Sequence, residues 1–408
     1  MMAANHEAHA ASAEEVLALV RQFARPLAAE SVPLDRALGR VLRAPVCAPE
    51  DQPPFDRSAM DGFAIRLDDP ATRFRLVDEI RAGDWKPRLL QLGECVRIAT
   101  GGALPGDGLQ VVMKEDAHVD GNQMETLRRS TERHIRFRGE DARQGQELVP
   151  VGAVLSPGAL ALLASVGHTQ PLVTRLPRVL HVATGNEIVP PHQAPAHGQV
   201  RDSNSTLVRA FLSQLGIQPR QLRVAEDEAA AKSEAQSAMF ADEPVDLLLL
   251  SGGASVGEHD FTRRLLTDLG WSIQVSRTST RPGKPLIVAT RGAALAFGLP
   301  GNPLAHFVCL NLYVRAALDA FSAHPTEPLF QRGVLAAELA AEANARETYW
   351  PARCWRGDGV VMLTPLRWSS SGDLTSLATA NALIRVFAGC GKLVSGAAVE
   401  FVPTAPLP

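Results

Sequence analysis

Apolar positions recur at helical spacing at the start of the chain. Residues 13–29 carry apolar side chains along one helical face, and Ser12 followed three residues later by Glu15 has the form of a capping box. The helical spacing continues through residues 34–42 and stops near Pro45. These patterns predict a helical opening segment.

The pattern changes to short β-like runs after Pro49. Between residues 53 and 145 these runs are broken by Gly, Pro and Asp, which is typical of a small β-rich domain. The predicted strands are residues 74–80, 95–100, 111–115 and 134–137. Ser156-Pro157 then predicts the start of a helix that runs to Ser165.

Strand patterns alternate with helix patterns from Arg178 onward. Such alternation is typical of βαβ units and a mostly parallel sheet. The predicted strands are residues 179–183, 222–224, 247–250, 286–289 and 293–297, and the predicted helices are residues 203–215, an Ala-rich segment ending at 240, and 261–269.

After Pro328, β-like runs separated by turn residues predict a small barrel of about 80 residues. Its strands are expected at residues 334–339, 349–355, 360–363, 382–387 and 399–402.

The composition narrows the functional classes. The 408 residues are 46% hydrophobic and 21% charged, as in ordinary globular proteins, and the net charge of −3 argues against a general nucleic-acid binder. No apolar run reaches the length of a membrane span, and residues 1–12 lack the apolar core of a signal peptide. Five cysteines without a CxxC pair predict neither a disulfide framework nor a zinc ribbon, and fit a reducing cytoplasm.

The stretch from Val245 to Pro303 has the pattern of an anion site. Residues 247–250 form a continuous apolar run that ends in Ser251-Gly252-Gly253, as a buried parallel strand opens into a loop. Ligands of open α/β sheets bind beyond the carboxyl ends of such strands. Residues 299–303 end another apolar run and place an N-cap Asn302 and an N1 Pro303 before a helix pattern, a start at which free N–H groups suit an anion.

Two cations lie between these loops. Arg281-Pro282-Gly283-Lys284-Pro285 cannot be helix interior, because its prolines stiffen the turn. We therefore expect a pocket for phosphate or another oxyanion. Its predicted lining is Ser251, Gly252, Ser255, Arg281 and Lys284.

Several carboxylates are candidates for chemistry. Asp56 and Asp61 share one loop with an Arg and a Ser, and a capping role is as consistent with that pattern as a catalytic one. Asp202 or Ser203 is a natural N-cap for the following helix, which does not exclude a role at the strand ends. A carboxylate that borders a buried strand, such as that of Asp246, must form an ion pair or bind a cation. Mg²⁺ is held by one or two carboxylates together with the phosphates of a ligand, and the candidate carboxylates are Glu187, Asp246 and Asp260.

The sequence between residues 251 and 285 does not match the common hydrolase and nucleotide-binding motifs. Ser255, His259 and Asp260 lie in one short loop without a GxSxG elbow, which argues against a hydrolase triad. Lys284 is followed by Pro285 rather than Ser or Thr, so a Walker A loop is excluded. In the last domain, Arg353 and the turn at residues 369–374 are interpreted by default as solvated groups.

Motifs along nearly the whole chain resemble one family. They are PPFDRSAMDGFA, ATGGALPGDGLQVVMKED, RGEDARQGQ, TGNE, RDSNS, SGGASVGEHDF, RPGKP, GLPGNP and SGDLTSLATANALI. In this order, from Ala13 to Pro403, they resemble the molybdopterin molybdenumtransferases, the MoeA group to which the C-terminal domain of gephyrin is related. The resemblance implies insertion of molybdate into adenylylated molybdopterin, with Mg²⁺ assistance and AMP release. It also implies an elongated homodimer of four-domain subunits, with the site between the α/β domain of one protomer and the β-rich domain of the other.

The resemblance completes the expected fold. That fold is multidomain α/β plus β: a central three-layer α/β domain with a mostly parallel sheet, a β-rich inserted domain, an elongated helical domain and a C-terminal β-barrel. The boundaries are residues 13–48 with 146–176 for the elongated domain I, 49–145 for domain II, 177–326 for domain III and 327–408 for domain IV.

Matching positions carry implied roles. The catalytic set is Asp56, Asp61, Asp141, Glu187, Asp246, Asp260 and Lys284, of which Glu187, Asp246 and Asp260 are the metal candidates. The set expected to bind the pterin nucleotide and molybdate is Asp202, Ser203, Asn204, Ser251, Gly252, Gly253, Ser255, Gly257, Arg281, Pro282, Gly283, Lys284, Pro300, Gly301, Asn302, Arg353 and Ser371. Asn186 stands where the family often has an Asp, so a metal role there rests on Glu187.

Two alternatives stay open at this point. The same α/β module serves molybdopterin adenylyltransferases, which would consume ATP on bare molybdopterin. A gephyrin-like scaffold would bind peptides through its last domain. For the enzyme, we expect transient contacts with other proteins of the molybdenum cofactor pathway, and a pulldown that finds no partner beyond those proteins would dismiss the scaffold.

Overall fold

A computed structural model describes residues 10–224, 233, 236, 244–252, 256–324, 329–357 and 359–405. The chain separates into two compact units. The first contains Met1–Glu30, Gly39–Val41 and Val173–Pro408, and the second contains Ser31–Leu38 and Leu42–Leu172. The predicted domain boundaries stay a prediction, and each unit is treated separately below.

The helices begin at the residues that local chemistry favours. They are α1 (Ala13–Phe23), α2 (Pro157–Ser165), α3 (Asn204–Ser213), α4 (Val256–Asp268), α5 (Pro303–Cys309) and α6 (Arg315–Ser322), with a π-helical turn at Leu310–Val314 joining the last two. The capping box before α1 is confirmed, because the Glu15 N–H donates to Ser12 Oγ at 3.2 Å and the Ser12 N–H donates to Glu15 Oε2 at 2.7 Å. Ser156 likewise accepts from the Ala159 N–H at 3.2 Å.

Two helical predictions were wrong. Helix α1 ends at Phe23 instead of residue 29, since Pro26 disfavours helical geometry in the residue before it. Residues 34–42 form only a single 3₁₀ turn, Leu34–Arg36, and Gly39 has a φ of 73° that no helix continues. The Ala-rich segment ending at residue 240 lies outside the described residues, apart from positions 233 and 236.

The second unit is β-rich, as predicted. The strands of the first 174 residues are β1 (Ala29–Ser31), β2 (Val46–Cys47), β3 (Arg57–Ser58), β4 (Gly62–Arg66), β5 (Arg73–Ile80), β6 (Glu94–Ile98), β7 (Leu109–Met113), β8 (Ala117–Asp120), β9 (Gln123–Thr126), β10 (Ile135–Arg136), β11 (Glu147–Val149) and β12 (Leu172–Thr174). Six of them form one sheet in the order β7-β4-β6-β5-β9-β8. Both faces of this sheet are covered, because Phe63 and Ile65 are buried on one side and Ala64 on the other.

The first unit contains the alternating region. Its strands up to residue 299 are β13 (Val179–Thr184), β14 (Ile188–Val189), β15 (Val200–Arg201), β16 (Arg220–Val224), β17 (Leu247–Ser251), β18 (Ser272–Val275), β19 (Thr280–Arg281), β20 (Ile287–Arg291) and β21 (Ala294–Leu299). Six described strands form a sheet in the order β16-β13-β17-β21-β20-β18. The first four are parallel, and β20 opposes both β21 and β18. The mostly parallel sheet is confirmed, with β20 as the strand that turns back.

The apolar run of β17 follows from burial on both faces of this sheet. Leu247 and Leu249 pack with α1, α3, α5 and α6 on one face, whereas Leu248 and Leu250 pack with α4 on the other. All four side chains are at most 2% exposed, and each contributes about 1.5–3 kcal/mol by burial. The result is the three-layer arrangement that the sequence analysis expected.

The last strands close into a barrel. They are β22 (Gln331–Leu335), β23 (Glu347–Gly357), β24 (Val360–Pro365), β25 (Ala382–Val386) and β26 (Ala398–Pro403). Hydrogen-bonded neighbours run β23-β24-β22-β26-β25, and β25 pairs with β23 to complete the ring. The predicted C-terminal barrel is thereby confirmed. Tyr349 and Leu383 of the barrel join the same buried core as α5 and α6, so the barrel and the α/β sheet pack together.

One helical run has the length and composition of a membrane span. It is Pro303–Ser322, which contains α5, the π turn and α6. Because 78% of its most apolar window is buried inside the protein, the run forms the centre of the core described above.

Candidate functional site

A pocket of about 380 Å³ lies beyond the carboxyl ends of β13 and β17. Parallel register brings these ends together, because Ala183 pairs with Ser251 and Ser251 pairs with Leu299 at the end of β21. The lining contains Thr184, Glu187, Arg201, Asp202, Ser203, Asn204, Ser251, Gly252, Gly301, Asn302, Pro303, Gly372 and Leu374. We call this the strand-end pocket.

Gly252 allows the close backbone approach at this edge. A Cβ added there would lie 1.8 Å from Thr184 Oγ1 and 2.8 Å from the Thr184 carbonyl oxygen, so no larger residue fits. The Ser251 hydroxyl beside it is directed inward, since its Oγ lies 2.6 Å from His181 Nε2 and 3.4 Å from His306 Nε2. Ser251 therefore borders the pocket while its hydroxyl is held by two buried histidines.

A second cavity of about 540 Å³ contains the two predicted cations. Its lining contains Arg281, Pro282, Gly283, Lys284, Pro285, Pro300, Asn302, Ala305, Ala340, Glu342, Arg346, Trp350, Trp368, Ser369, Ser370 and Ser371. We call this the cationic cleft. In the parts of the chain that the structure describes, the salt bridges involve other arginines and lysines, so Arg281, Lys284 and Arg346 face the cleft with their charges unpaired. Burial lowers the pKa of Arg346, and the charge of Arg281 lowers it further.

Two tryptophans hold Arg281 in place. Its guanidinium carbon lies 5.5 Å from the centre of the Trp368 ring, within the range of a cation–π contact. Trp368 meets Trp350 edge to face at 5.5 Å, and the Trp350 indole N–H donates to the Leu366 carbonyl at 2.7 Å. The barrel thus supplies the surface against which the turn of the α/β domain packs.

Two buried threonines, Thr278 and Thr280, hold the RPGKP turn through hydrogen bonds. Thr278 Oγ1 lies 2.7 Å from Thr280 Oγ1 and donates to the Gly283 carbonyl at 3.1 Å, while the Thr278 N–H donates to the Lys284 carbonyl at 2.9 Å. Gly283 has a φ of 130°, which L side chains rarely adopt. The turn that presents Arg281 and Lys284 is therefore specified by hydrogen bonds.

Asn302 lies between the two cavities and lines both. It occupies the N-cap position of α5 as predicted, but its side chain makes no capping bond and instead donates to Ser371 Oγ at 2.9 Å. The Leu304 N–H donates to the Ser371 carbonyl at 3.0 Å, so a helix-start N–H that was expected to face an anion is already engaged. Asn204 Nδ2 donates to the Gly301 carbonyl at 2.7 Å and ties α3 to the same loop.

Asp202 has the capping role that the sequence favoured. Its Oδ1 accepts from the Ser205 N–H at 2.9 Å, and its Oδ2 accepts from Ser205 Oγ at 2.6 Å and from Arg223 at 2.9 Å. Burial raises the pKa of Asp202, but the hydrogen bonds from Ser205 and the Arg223 charge outweigh burial and keep the pKa below its usual value. Ser203 also borders the pocket and makes no capping bond.

The structure does not bring Asp246 together with Glu187. Asp246 precedes β17 and lies at the amino end of the sheet, whereas Glu187 follows β13 at the carboxyl end. Asp246 is paired with Arg175, which is one of the two alternatives that burial required. Among the described residues no group of three His, Cys, Asp or Glu side chains could hold a metal ion, and Glu187 is the exposed carboxylate of the strand-end pocket.

One of the remaining predicted residues, Arg353, lies outside both cavities. Arg353 is exposed on β23, where it pairs with Thr364, and Arg346 supplies the cleft arginine instead. Gly253 and Ser255 lie outside the described residues. Gly257 and Asp260 fall within α4, and nothing is described of their side chains.

The second unit contains Asp56, Asp61 and Asp141. Strands β3 and β10 pair there, so the loops carrying these aspartates are neighbours. Asp56 Oδ1 accepts from the Arg138 N–H at 2.8 Å, and Asp141 Oδ1 accepts from Arg136 at 2.5 Å. The Thr100 N–H and hydroxyl, at 2.8 and 2.7 Å, lower the pKa of Asp61 to about 2, with a smaller effect of Lys114. All three carboxylates are therefore engaged within the unit.

Sequence reasoning missed several residues around the cavities. Arg346, Trp350 and Trp368 belong to the barrel, and no local pattern connects them with the RPGKP turn. His181 and His306 occupy positions that read as core of a strand and a helix. A polar residue in an otherwise apolar element was the available signal, because buried imidazoles need partners.

Comparison with known proteins gives matches to related proteins along nearly the whole chain. Residues 11–167 match the family model of the MoeA N-terminal region (domain I and II), residues 181–320 match a probable molybdopterin binding domain, and residues 332–404 match the MoeA C-terminal region (domain IV). The crystal structure of the molybdopterin biosynthesis MoeA protein from Pyrococcus horikosii superimposes with a TM-score of 0.79 at 27% identity, and covers 97% of this chain and 100% of that chain.

Curated relatives give the same result. The chain is 34% identical over 368 residues to the molybdopterin molybdenumtransferase of Nostoc sp., which covers 87% of this chain and 84% of the relative. It is 32% identical over 404 residues to the molybdopterin molybdenumtransferase of Bacillus subtilis, which covers 95% and 92%. With the sheet, the barrel and the two cavities in place, these matches show that the chain belongs to the molybdopterin molybdenumtransferase family, the MoeA proteins.

Proposed function

We propose that this protein is a molybdopterin molybdenumtransferase that inserts molybdate into adenylylated molybdopterin, releases AMP and so completes the molybdenum cofactor in the cytoplasm. The observation that carries the proposal is the convergence of Arg281, Lys284 and Arg346 on one cleft without ion-pair partners among the described residues. Glu342 is the one carboxylate among the lining residues of the cleft, so the three cations leave an excess of positive charge that suits a doubly charged oxyanion.

Molybdate matches the donors of the cationic cleft. It is a tetrahedral dianion, and an Arg fork can donate two hydrogen bonds to its oxygens while Lys284 acts as a point charge. Ser369, Ser370 and Ser371 also line the cleft and offer hydroxyl donors. Arg281 is pre-oriented by Trp368, so less side-chain entropy is lost when an anion binds.

The strand-end pocket suits the nucleotide part of the substrate. It lies where open α/β sheets bind ligands, and Gly252, which lines it, lets Thr184 of β13 pack closely against the end of β17. Asn302 borders both cavities, so a molybdopterin nucleotide spanning them would place its reacting end next to molybdate. Proximity of this kind replaces an encounter in solution by a reaction within one complex.

Magnesium fits this arrangement through few protein ligands. Mg²⁺ binds through one or two carboxylates together with substrate phosphates, and Glu187 is the pocket carboxylate available for that role. Bound there, the ion would polarise the phosphoanhydride that is cleaved. Asp260 completes the proposed set, whereas Asp246 is engaged by Arg175 at the other end of the sheet.

The proposal includes a homodimer. Asp56, Asp61 and Asp141 belong to the second compact unit, and in the dimer implied by the family resemblance that unit faces the α/β domain of the partner. The ionised Asp61, whose pKa is lowered to about 2, would then act as a fixed negative charge near the magnesium-nucleotide complex.

A reconstitution assay tests the proposal. Purified protein receives adenylylated molybdopterin, molybdate and Mg²⁺, and both cofactor formation and AMP release are measured. Lys284→Ala and Asp260→Ala should each abolish molybdenum insertion while the fold and the dimer persist. Lys392→Ala is the matched control, because this exposed lysine pairs with Glu338 on the barrel at 2.7 Å and lines neither cavity.

The outcomes discriminate between activities. If Lys284→Ala or Asp260→Ala matches the parent protein, the site assignment is wrong. If the protein instead consumes ATP on bare molybdopterin, it is an adenylyltransferase. Chelation of divalent ions with EDTA should stop AMP release, and activity that persists without Mg²⁺ would exclude the proposed metal role.

A further inference from the structure

A buried chain of polar side chains crosses the core beneath the strand-end pocket. His181 of β13 and His306 of α5 are 0% exposed, and Ser251 of β17 is 3% exposed. Ser251 Oγ lies between the two imidazoles, 2.6 Å from His181 Nε2 and 3.4 Å from His306 Nε2. Three polar groups in an apolar core carry a desolvation cost unless each proton has an acceptor.

The exposed end of this chain determines the direction of its hydrogen bonds. Arg209 of α3 donates through Nε to Gln221 Oε1 at 2.8 Å, and its Nη2 donates to the same oxygen. Gln221 Nε2 is therefore the amide nitrogen, and it donates to His181 Nδ1 and to the Ser205 carbonyl, both at 2.9 Å. Since His181 Nδ1 accepts, the proton of the neutral ring is on Nε2 and is donated to Ser251 Oγ.

The other end gives a consistent result. His306 Nδ1 lies 3.1 Å from the Pro300 carbonyl oxygen, which can only accept, so the proton of this ring is on Nδ1. His306 Nε2 is then an acceptor, and the Ser251 hydroxyl donates to it. Burial lowers the pKa of His181 to about 3 and that of His306 to about 4, so both rings are neutral at physiological pH.

The chain of bonds ends at the walls of the pocket. Ser251 and Gly252 form one wall of the strand-end pocket, and Gly301 and Asn302 of the loop that follows β21 form another, while Pro300 of the same loop lines the cationic cleft. His306 connects these two walls directly, because one ring nitrogen contacts Ser251 and the other contacts Pro300. His181 anchors the same hydroxyl to β13 and, through Gln221, to β16 and α3.

We propose that His181 and His306 are positioning residues of the strand-end pocket, which hold Ser251-Gly252 and Pro300-Gly301-Asn302 in the geometry that receives the nucleotide phosphate. Neither ring touches the ligand in this arrangement. The identity of the ligand rests on the function proposed above, whereas the positioning of the two walls does not.

Hydrogen exchange tests the positioning without a ligand. His306→Leu fills the buried space with an apolar side chain and removes the hydrogen bonds to Ser251 and Pro300. His306→Asn retains a donor near the Nδ1 position for the Pro300 carbonyl. The backbone amides of Gly301, Asn302 and Leu304 report on this loop, because Pro300 and Pro303 carry no N–H. Measured by mass spectrometry on the full chain, they should exchange at least tenfold faster in His306→Leu and within threefold of the parent in His306→Asn. Equal exchange in the parent and in His306→Leu would overturn the proposal, as would equal acceleration in both variants.

AMP binding tests the functional consequence. By calorimetry, His306→Leu and His181→Leu should bind AMP at least tenfold more weakly than the parent. The molybdate affinity of His181→Leu should stay within twofold, because the partners of His181, Ser251 and Gln221, do not line the cationic cleft. His181→Gln retains a donor for Ser251 and should recover most of the AMP affinity. Leucine variants that bind AMP like the parent would overturn the positioning role. A parent protein that binds no AMP would count against the proposed function, and the exchange result would still decide whether the histidines position the walls.

Discussion

Arg175 holds both carboxylate oxygens of Asp246. Nη1 lies 2.6 Å from Oδ2 and Nη2 lies 2.7 Å from Oδ1, and the Arg178 N–H donates a third bond to Oδ2 at 2.8 Å. Both side chains are mostly buried, at 20% and 12% exposure. This fork joins the segment before β13 to the start of β17, so Asp246 secures the order of the central strands.

The pair predicts a structural effect for Asp246→Asn. The substitution removes a charged acceptor from three donors, so we expect the free energy of unfolding to fall by about 2–3 kcal/mol. Molybdate and AMP affinities of the folded protein should remain within twofold of the parent. Denaturant unfolding and calorimetry measure the two effects. Full stability combined with lost activity would restore Asp246 to the catalytic set.

The geometry of the RPGKP turn predicts the effect of Gly283→Ala. A Cβ there would lie 2.9 Å from Thr280 Oγ1 at a φ of 130°, so the turn must shift and misplace Arg281 and Lys284. Molybdate affinity should fall at least tenfold although no charge changes. Gly292→Ala is the control, because Gly292 also has a positive φ of 59° but no atom within 4 Å of its added Cβ. Equal molybdate affinity in both variants would contradict the pinned turn.

The contact of Arg281 with Trp368 predicts a cooperative loss of affinity. A cation–π contact contributes about 1 kcal/mol, so Trp368→Leu should weaken molybdate binding by about fivefold. Trp85→Leu, at a tryptophan that is 69% exposed in the second unit, should have no effect. In an Arg281→Ala background the Trp368→Leu substitution should lower the molybdate affinity only slightly further. Additive losses would show that Trp368 acts independently of Arg281.

The buried histidines predict a loss of stability in acid. Their folded pKa values of about 3 and about 4 lie below the ordinary value of about 6.5 for an unfolded imidazole. Below pH 6.5 the unfolded chain therefore binds protons that the folded chain does not, and stability falls as the pH decreases toward 4. Between pH 7 and pH 5 the loss should be roughly 2 kcal/mol for each ring.

A double variant isolates this effect from the carboxylates. His181→Gln with His306→Asn removes both titrations, so its unfolding free energy should depend less steeply on pH than that of the parent. Parallel pH profiles for the two proteins would show that neither imidazole is held neutral in the folded state.

Local patterns were sufficient for many elements of the fold. The capping box of α1, the strand at residues 247–250 and the barrel strands were recognised because burial on one or both faces determines the residue types within each element. The RPGKP turn and the glycine-rich strand end were found in the same way, since prolines and glycines restrict the backbone locally. The early end of α1 was missed, although Pro26 contains the signal.

The sequence by itself determined the family, the alternation of strands and helices and the two cations of the RPGKP turn. Only the tertiary structure decided that Arg346, rather than Arg353, joins those cations, that Asp246 belongs to Arg175, and that His181 and His306 meet at Ser251. These relationships depend on strand order, register and helix packing, because the two histidine contacts join residues 70 and 55 positions apart and the ion pair joins residues 71 positions apart. A local pattern reports how each segment is buried, but the partner of a buried polar group is fixed by which distant segment covers it.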